Sequence, residues 1–249
     1  VVIVTQADFL SEYDPRGHKI YNKYYYPDKE VKNEKGEVVR ELVARVALAL
    51  QKMIALKQAV HLIGNAPKLT AAKNVDPALF VKYKEYRKLK GVQNAMYLGI
   101  KSALETGDGA VWFYKDAKGR LKWKVWSYKD GDTLIPTYNK GSLSVMARRY
   151  WSVVDGKSVD TVDIVDDRTY STYYKKAEGD KSRTEKVLEK IGLSGEWTNL
   201  SRDPHGFTQV PVAYQRNEDV AWGDGQDLID MIERTLSDLR ESDAYFALG

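Results

Sequence analysis

The sequence predicts an α+β fold with long N-terminal helices, then an antiparallel β-meander, then a C-terminal helix. Two changes of hydrophobic period support this prediction. Apolar residues recur at helical spacing up to Thr106, alternate with polar residues from Gly109, and return to helical spacing after Gly225. With 249 residues, of which 43% are hydrophobic, the chain is long enough to bury a core as one large or two small domains.

The first part of the chain predicts three helices behind an aromatic arm. Residues 11–36 are loop-like and rich in tyrosine, and this arm packs either on its own domain or on a neighbouring subunit. Gly64 at the C′ position ends the first helix, and Asp76 is a good N-cap for the second. The predicted helices are Glu37–Ile63, Pro77–Lys90 and Val92–Glu105.

The middle of the chain predicts a meander of short strands. Residues 116–119 and 155–156 have the composition of hairpin turns, and the alternation between turns indicates one buried face. A lysine-rich stretch at 178–194 interrupts the pattern with a weak helical signal over 184–191, and residues 196–200 can return to the sheet. The predicted strands are Ala110–Tyr114, Leu121–Tyr128, Thr133–Thr137, Leu143–Val153, Ser158–Asp166 and Arg168–Lys175.

The last part of the chain combines a strand, a polar turn and a long helix. The apolar strand Phe207–Tyr214 contains Pro211, and residues 215–225 form the turn. The helix runs from Gln226 to Phe246. Five apolar residues on one stripe predict its buried face. They are Ile229, Ile232, Leu236, Leu239 and Phe246.

The composition excludes several classes of function. The chain has no cysteine, which excludes disulfides and thiol chemistry and fits a reducing compartment or a particle assembled in one. The net charge of +4 is mild, with basic runs at 82–90 and 115–129, whereas residues 218–243 hold nine acidic side chains and two arginines. Charged residues interrupt the longest apolar run, 42–63, so no membrane span is predicted. No phosphate-binding loop motif of an ATPase is present.

Residues with catalytic or metal-binding chemistry do not converge in the sequence. Asp163, Asp166 and Asp167 have two interpretations, the carboxylates of a two-metal nuclease or solvated and capping residues. Neighbouring residues of a strand point to opposite faces, which favours the second interpretation. No catalytic residue, cofactor or metal is therefore predicted. The three histidines are far apart in the sequence: His18, His61 and His205.

The segment Lys115–Lys129 is the best candidate for contact with nucleic acid. Alternation along its second strand places Lys122, Lys124 and Trp126 on one face. Lysines beside a tryptophan could follow a phosphate backbone while the ring stacks on bases. The same lysines could instead discourage edge-to-edge pairing on an exposed hairpin face. The sequence leaves both interpretations open and favours the second.

The order of motifs in the last part of the chain resembles that of the portal proteins of tailed bacteriophages. In that family, a glycine-phenylalanine element and a proline-bearing strand precede an asparagine, a small-residue turn and a helix that opens with leucine, isoleucine and aspartate. The resemblance extends over about residues 38–246, through the loop at 63–67 and the glycine break at 104–109. The matching residues are Gly206, Phe207, Pro211, Val212, Asn217, Gly223, Leu228, Ile229 and Asp230, followed by Ser237 and Asp238.

The resemblance implies a structural protein and not an enzyme. A ring of twelve copies would form the portal at one vertex of the capsid, after assembly in the host cytoplasm, and double-stranded DNA would pass through it without sequence-specific binding. The implied partners are the large terminase motor, the major capsid or scaffolding protein and a head-completion or connector protein, with no membrane. The acidic C-terminal helix would repel the duplex and let it move.

The resemblance also divides the chain into four parts. Residues 1–36 are the aromatic N-terminal arm, 37–108 the helical part of the portal wing, 109–214 the β-rich meander, and 215–249 the turn and acidic helix that leads towards a stem. The family's stem, clip and crown have no counterpart after Gly249, and the arm also has none. The rival hypothesis is a stand-alone nucleic-acid-binding or nuclease-like α+β protein, which would use Lys122, Lys124 and the Asp163–Asp167 strand.

Overall fold

The computed structural model describes residues 5–65, 67–154, 156–175 and 197–247, with side chains up to residue 243 in the last helix. Over these residues the protein is α+β, as predicted, and it has five α-helices and three antiparallel sheets. The chain forms two compact units. Unit 1 comprises Val1–Gln58 and Asp219–Gly249, and unit 2 comprises Ala59–Glu218. The predicted excursion at 178–194, including its helical signal, lies outside the described residues, as does Asp155 of the predicted turn.

Unit 1 consists of short elements and one long helix. Helix α1 (Gln6–Tyr13) begins at a capping box between Thr5 and Asp8, in which each side chain bonds the other residue's backbone N–H. Two short 3₁₀ turns follow, and strands β1 (Lys29–Lys32) and β2 (Val38–Glu41) then form a two-stranded hairpin. Helix α2 (Leu50–Ile63) crosses from unit 1 into unit 2 after Gln58. The last helix of the chain, α5, spans Gln226–Ala247.

The prediction of one helix over Glu37–Ile63 is wrong in its first half. Val38–Glu41 is a strand, residues 42–49 are neither helix nor strand, and the helix begins at Leu50. Two causes oppose a helix here, one local and one distant in the sequence. The β-branched pair Val38 and Val39 favours strand pairing. Alternate backbone N–H groups of the 42–49 segment bond side chains of α5 and are unavailable for helical hydrogen bonds.

The described part of unit 2 contains the end of α2, two complete helices and two sheets. Helices α3 (Pro77–Leu89) and α4 (Val92–Thr106) lie close to their predicted positions. The first sheet has the order β10-β3-β4, and the second runs β5-β6-β7-β8-β9 in sequential order, so it is a true meander. The strands are β3 Asp108–Lys115, β4 Leu121–Trp126, β5 Thr133–Asn139, β6 Ser142–Val154, β7 Lys157–Val165, β8 Thr169–Lys175, β9 Trp197–Pro204 and β10 Val212–Arg216.

Two predictions about these strands need correction. The hairpin of β3 and β4 does not join the meander but pairs with β10 in a separate sheet. The predicted strand Phe207–Tyr214 starts late, at Val212, and extends to Arg216. Pro211 explains the late start because it has no N–H to donate, although its carbonyl accepts a 2.8 Å hydrogen bond from the Phe113 N–H.

The core of unit 2 is apolar and closely packed. Trp126, Met146 and Val165 are completely buried in one cluster, and Ala147 and Val162 anchor another within the meander. Helix α4 lies against β3 at a distance that only glycine allows. A Cβ atom at Gly109 would come within 2.5 Å of the Gly99 carbonyl oxygen. The glycine at the predicted break before the sheet is therefore a packing requirement.

Candidate functional site

The buried face of α5 is polar. In unit 1, Gln226, Asp230, Glu233 and Ser237 are buried at helical spacing, and only Ile229 of the predicted apolar stripe is buried with them. Leu239 is 54% exposed, and Ile232 and Leu236 are half-buried. The side chain of Phe246 lies outside the described residues. The predicted apolar stripe is therefore not the face on which α5 packs.

Three side chains of α5 hold the 42–49 segment through its backbone. The N–H of Leu48 donates to Glu233 Oε1 at 2.7 Å. The N–H of Val46 donates to Ser237 Oγ at 2.9 Å. The N–H of Ala44 donates to Glu241 Oε2 at 2.7 Å. Four helical residues rise about 6 Å, and two extended residues advance about 6.6 Å, so the two spacings match. The helix thus supplies acceptors that a neighbouring strand would supply in a sheet.

A buried histidine supports the first of these acceptors. His18 Nδ1 lies 2.7 Å from Glu233 Oε1, and both side chains are almost completely buried. His18 Nε2 lies 2.7 Å from the Glu12 carbonyl oxygen. Because a carbonyl can only accept, Nε2 carries a proton, and one further proton must lie between Nδ1 and the carboxylate. His18 therefore fixes Glu233 for its bond to Leu48.

Other acids of α5 also bond within unit 1. Asp230 bonds Lys19 Nζ at 2.6 Å, which raises the pKa of Lys19, and it accepts a second bond from Gln226. Asp238 accepts the Tyr26 hydroxyl at 2.8 Å. Burial, together with this hydrogen bond, raises the pKa of Tyr26 to about 12. The motif residues Ile229, Asp230, Ser237 and Asp238 thus contribute to the structure of unit 1.

These contacts contradict the expectation that α5 presents a strongly acidic surface. Asp230 pairs with Lys19, Glu233 with His18, and Glu241 with Lys29 at 3.6 Å. The remaining charged side chains of the helix, up to residue 243, are nearly balanced in sign. They are Asp227, Asp238 and Asp243 with Arg234 and Arg240.

The motif residues of unit 2 form a turn and complete a sheet. Gly206 has a φ of 69°, which favours glycine, and its carbonyl accepts a 2.9 Å bond from Lys115 Nζ. The same amine lies 4.9 Å from the centre of the Phe207 ring. His205 Nδ1 accepts the Phe207 N–H at 3.1 Å, and its Nε2 lies 3.0 Å from the Asp166 carbonyl oxygen. His205 is therefore a turn residue with its proton on Nε2.

Two further motif positions also have structural reasons. The N–H of Asn217 donates to the carbonyl of Gly107, at the end of α4, at 2.8 Å. In unit 1, a Cβ atom at Gly223 would overlap an Asp219 carboxylate oxygen, so a larger residue would displace that side chain. Leu228 differs from these positions because its side chain is 55% exposed.

The proposed nucleic-acid face is only partly available. Lys122 and Lys124 are exposed, as expected, and have no ion pair among the described residues. Trp126 is completely buried, with its ring 5.3 Å from that of Trp112. The prediction that Trp126 contacts nucleic acid is wrong, because β5 and β6 contribute Leu134 and Met146 to the cluster around it.

The candidate metal-binding aspartates are used for other contacts. Asp163 is buried, lies 3.4 Å from Arg148 Nη1 and accepts a 2.9 Å bond from Thr172. Burial raises the pKa of Asp163. Asp166 accepts the N–H groups of Arg168 and Thr169 across the β7–β8 turn. Within the described residues, no group of three or more histidine, aspartate or glutamate side chains could hold a metal ion.

Arg148 joins two buried aspartates of unit 2. It bonds Asp132 through Nε and Nη2, each at 2.7 Å, and lies opposite Asp163 in the register of β6 and β7. Its guanidinium also lies 4.0 Å from the centre of the Tyr150 ring. Burial and the nearby Asp163 raise the pKa of Tyr150 to about 12. The expectation that Asp163 belongs to a solvated face is therefore also wrong.

Comparison with known families agrees with this arrangement of motifs. The family model described as "Phage portal protein, SPP1 Gp6-like" matches residues 16–248. The chain belongs to this family. No curated protein matches the sequence. Portal proteins of this family are structural, and none of the helices in the described part of this chain is long and apolar enough to cross a membrane.

Sequence reasoning missed the contact between α5 and the 42–49 segment. Its signal was nevertheless present, because Glu233, Ser237 and Glu241 follow one another at intervals of four. Polar residues at that spacing share one helix face and could have indicated a buried polar stripe. Ile232 and Leu239 gave a competing apolar pattern on an adjacent face, and that pattern decided the prediction.

Proposed function

We propose that this protein is the subunit of a ring-shaped portal, with twelve copies at one vertex of a tailed-phage capsid. Double-stranded DNA passes through the ring during packaging and ejection, without sequence-specific binding. The family match over residues 16–248 carries this proposal, because it spans both compact units. Residues 37–108 and 109–214 would form the helical and β-rich parts of the wing, and residues 215–249 would lead towards the stem.

The proposed role is structural and not enzymatic. Three of the side chains that the sequence singled out have structural partners: His18 bonds Glu233, His205 holds a turn, and Asp163 faces Arg148. The nuclease hypothesis needs the Asp163–Asp167 strand as a metal site, and these contacts leave it without support. The work of moving DNA would belong to the ATPase of the terminase motor.

The charge distribution refines how DNA would pass. Each phosphate contact adds affinity through counterion release, so a channel in which DNA slides must make few tight contacts. The sequence suggested repulsion by an acidic helix, but three of the six acids of α5 up to residue 243 pair with basic side chains of unit 1, and the other charges of the helix are nearly balanced. We therefore attribute the easy movement of DNA through the ring to weak attraction between DNA and protein, and not to repulsion by this helix.

Assembly of the protein from its complete gene tests the ring. Native mass spectrometry and negative-stain electron microscopy should show closed rings with a central channel and a mass near twelve subunits. A stable monomer under all assembly conditions would contradict the proposal. Mixing the rings with the large terminase, the capsid or scaffolding protein and the connector protein of the same phage should give separate complexes, which co-sedimentation measures.

A further inference from the structure

A basic cavity in unit 2 has no role in the function proposed above. Its volume is about 520 Å³, and it lies between the loop at 67–69, helix α3 and the first turn of α4. Four of its eight lining residues are cationic, and none is acidic. The lining residues are Pro67, Lys68, Leu69, Lys84, Arg87, Lys88, Gly91 and Gln93.

Arg87 is held in this cavity by neutral partners. Its Nη2 donates to Gln93 Oε1 at 3.2 Å and lies 3.4 Å from Met96 Sδ. Gln93 is fixed in turn, because its Nε2 donates to the Ile63 carbonyl at 2.7 Å. In the described part of the chain, no carboxylate pairs with Arg87, Lys68, Lys84 or Lys88. The guanidinium is therefore oriented without being neutralised, and its remaining N–H donors can serve a ligand.

The start of α4 adds further donors. Its N-cap is Gly91, with a φ of 61° and no side chain to cap the first turn, and that turn contains no acidic residue. The first N–H groups of a helix have no intrahelical acceptor, and the dipole favours an anion there. This feature supports a site only because the cationic side chains of α3 and Lys68 line the same cavity.

The helix dipole alone does not explain this cluster. Arg87 and Lys88 lie in the last turn of α3, where cations are stabilised by the dipole of their own helix. Lys68 belongs to a different element, and Lys84 lies one turn before Lys88 with its amine 4.5 Å from the centre of the Phe80 ring. Cations from two elements therefore line one cavity.

We propose that this cavity binds a phosphate group. A phosphate has several oxygens around one centre, which suits an arginine fork, separate ammonium groups and backbone N–H donors together. A single carboxylate has only two oxygens and one charge, and would leave most of four cations unsatisfied. The phosphate could belong to a nucleic-acid backbone or to a free phosphate compound. This site does not depend on ring formation.

Two double variants that each remove two positive charges distinguish binding in the cavity from attraction by the overall positive field of the protein. K84Q/K88Q removes two lining lysines, whereas K73Q/K82Q removes two exposed lysines outside the cavity. All four side chains are exposed, so both variants should fold, and circular dichroism melting checks this. Fluorescence anisotropy measures binding of a labelled duplex DNA at several salt concentrations, and titration calorimetry measures binding of pyrophosphate.

If the phosphate belongs to a nucleic acid, the wild type and K73Q/K82Q should bind DNA with a steeper salt dependence than K84Q/K88Q. The difference in the slope of log K against log salt should be about 2, and the affinity at low salt should fall about 10-fold or more. If the ligand is a free phosphate compound, the wild type should bind pyrophosphate but not DNA. K84Q/K88Q should then lose pyrophosphate binding, and K73Q/K82Q should keep it.

Three results would overturn the proposal. The first is that neither probe binds the wild type. The second is that both double variants lose the same affinity, which would indicate only a diffuse positive field. The third is that a polyglutamate peptide binds as tightly as DNA or pyrophosphate and is lost in K84Q/K88Q, which would make the cavity a site for acidic peptides.

Discussion

Both units of the chain bury an apolar cluster, but in unit 1 polar side chains of a long helix also hold the backbone of a neighbouring segment. Unit 2 has two apolar clusters around Trp126 and Val162, and Arg148 with its aspartates is an inclusion in that unit. Unit 1 has few strands, and its long helix buries Glu233 and Ser237 against a segment outside any sheet. Acidic residues on a helix can therefore be internal hydrogen-bond acceptors, so charge counted along the sequence need not be surface charge.

The largest effect is expected in the apolar cluster of unit 2. Trp126→Ala should lower the free energy of unfolding by about 3–5 kcal/mol, because it leaves a large cavity among Leu134, Met146 and Val165. Urea unfolding followed by fluorescence and circular dichroism measures this. Trp151→Ala, at a side chain that is 71% exposed, is the control and should change stability by less than about 1 kcal/mol. Equal losses in the two variants would show that the apolar cluster does not dominate.

A loss of about 3 kcal/mol is expected when Glu233 is removed from unit 1. Glu233→Ala leaves both the His18 ring and the Leu48 N–H without their acceptor in a buried site. Hydrogen exchange should accelerate most at the Leu48 amide, which distinguishes local release of the segment from general destabilisation.

Asp243→Asn is the matched control on the same helix, because this acid is exposed. It should leave both stability and Leu48 exchange nearly unchanged. If the control and Glu233→Ala gave the same exchange pattern, the acids of α5 would have no specific internal role.

The sequence predicted the elements of unit 2 better than those of unit 1, and the reason is physical. Asp76 and Gly107 mark helix ends through local chemistry, and the alternation in β6 and β7 depends only on neighbouring residues. The failure at residues 37–49 depended on residues almost 200 positions away, since Glu241 and Ser237 compete for its N–H groups. Local propensity contains no information about such a partner.

The sequence predicted only part of the candidate site, as it predicted only part of the fold. Motif order identified the family correctly, and the exposure of Lys122 and Lys124 followed from strand alternation. Alternation gives the direction of a side chain but not what covers it, so the burial of Trp126 beneath a second sheet was not predictable. The cavity around Arg87 was missed because its lining comes from three elements that only the fold brings together.

A smaller loss of stability is expected when Ser237, the acceptor for the Val46 N–H, is removed. Ser237→Ala leaves the Val46 N–H without its 2.9 Å partner, and should cost about 1–2 kcal/mol. Exchange should accelerate at Val46 and much less at Leu48, whose acceptor is unchanged. Thr235→Ala is the control, since Thr235 is exposed on α5 and its hydroxyl donates to the Met231 carbonyl of the same helix. Uniform acceleration across 42–49 would instead mean that the three bonds open as one unit.

The smallest effect concerns the pH dependence of unit 1. Hydrogen bonds from Lys23 and Arg45 lower the pKa of Asp28 from its ordinary 3.8 to about 2. The folded state therefore binds this proton less readily than the unfolded state does. The stabilisation is fully present above about pH 4 and is lost as the pH falls towards 2.

Asp28→Asn should be less stable than the wild type at pH 6, and the difference should shrink between pH 4 and 2, as thermal unfolding at each pH measures. Asp243→Asn should show no comparable convergence with the wild type. A stability difference between Asp28→Asn and the wild type that stays constant down to pH 2 would contradict this account. It would mean that the variant instead disturbs the packing of Arg45 and its hydrogen bond to the Tyr26 carbonyl.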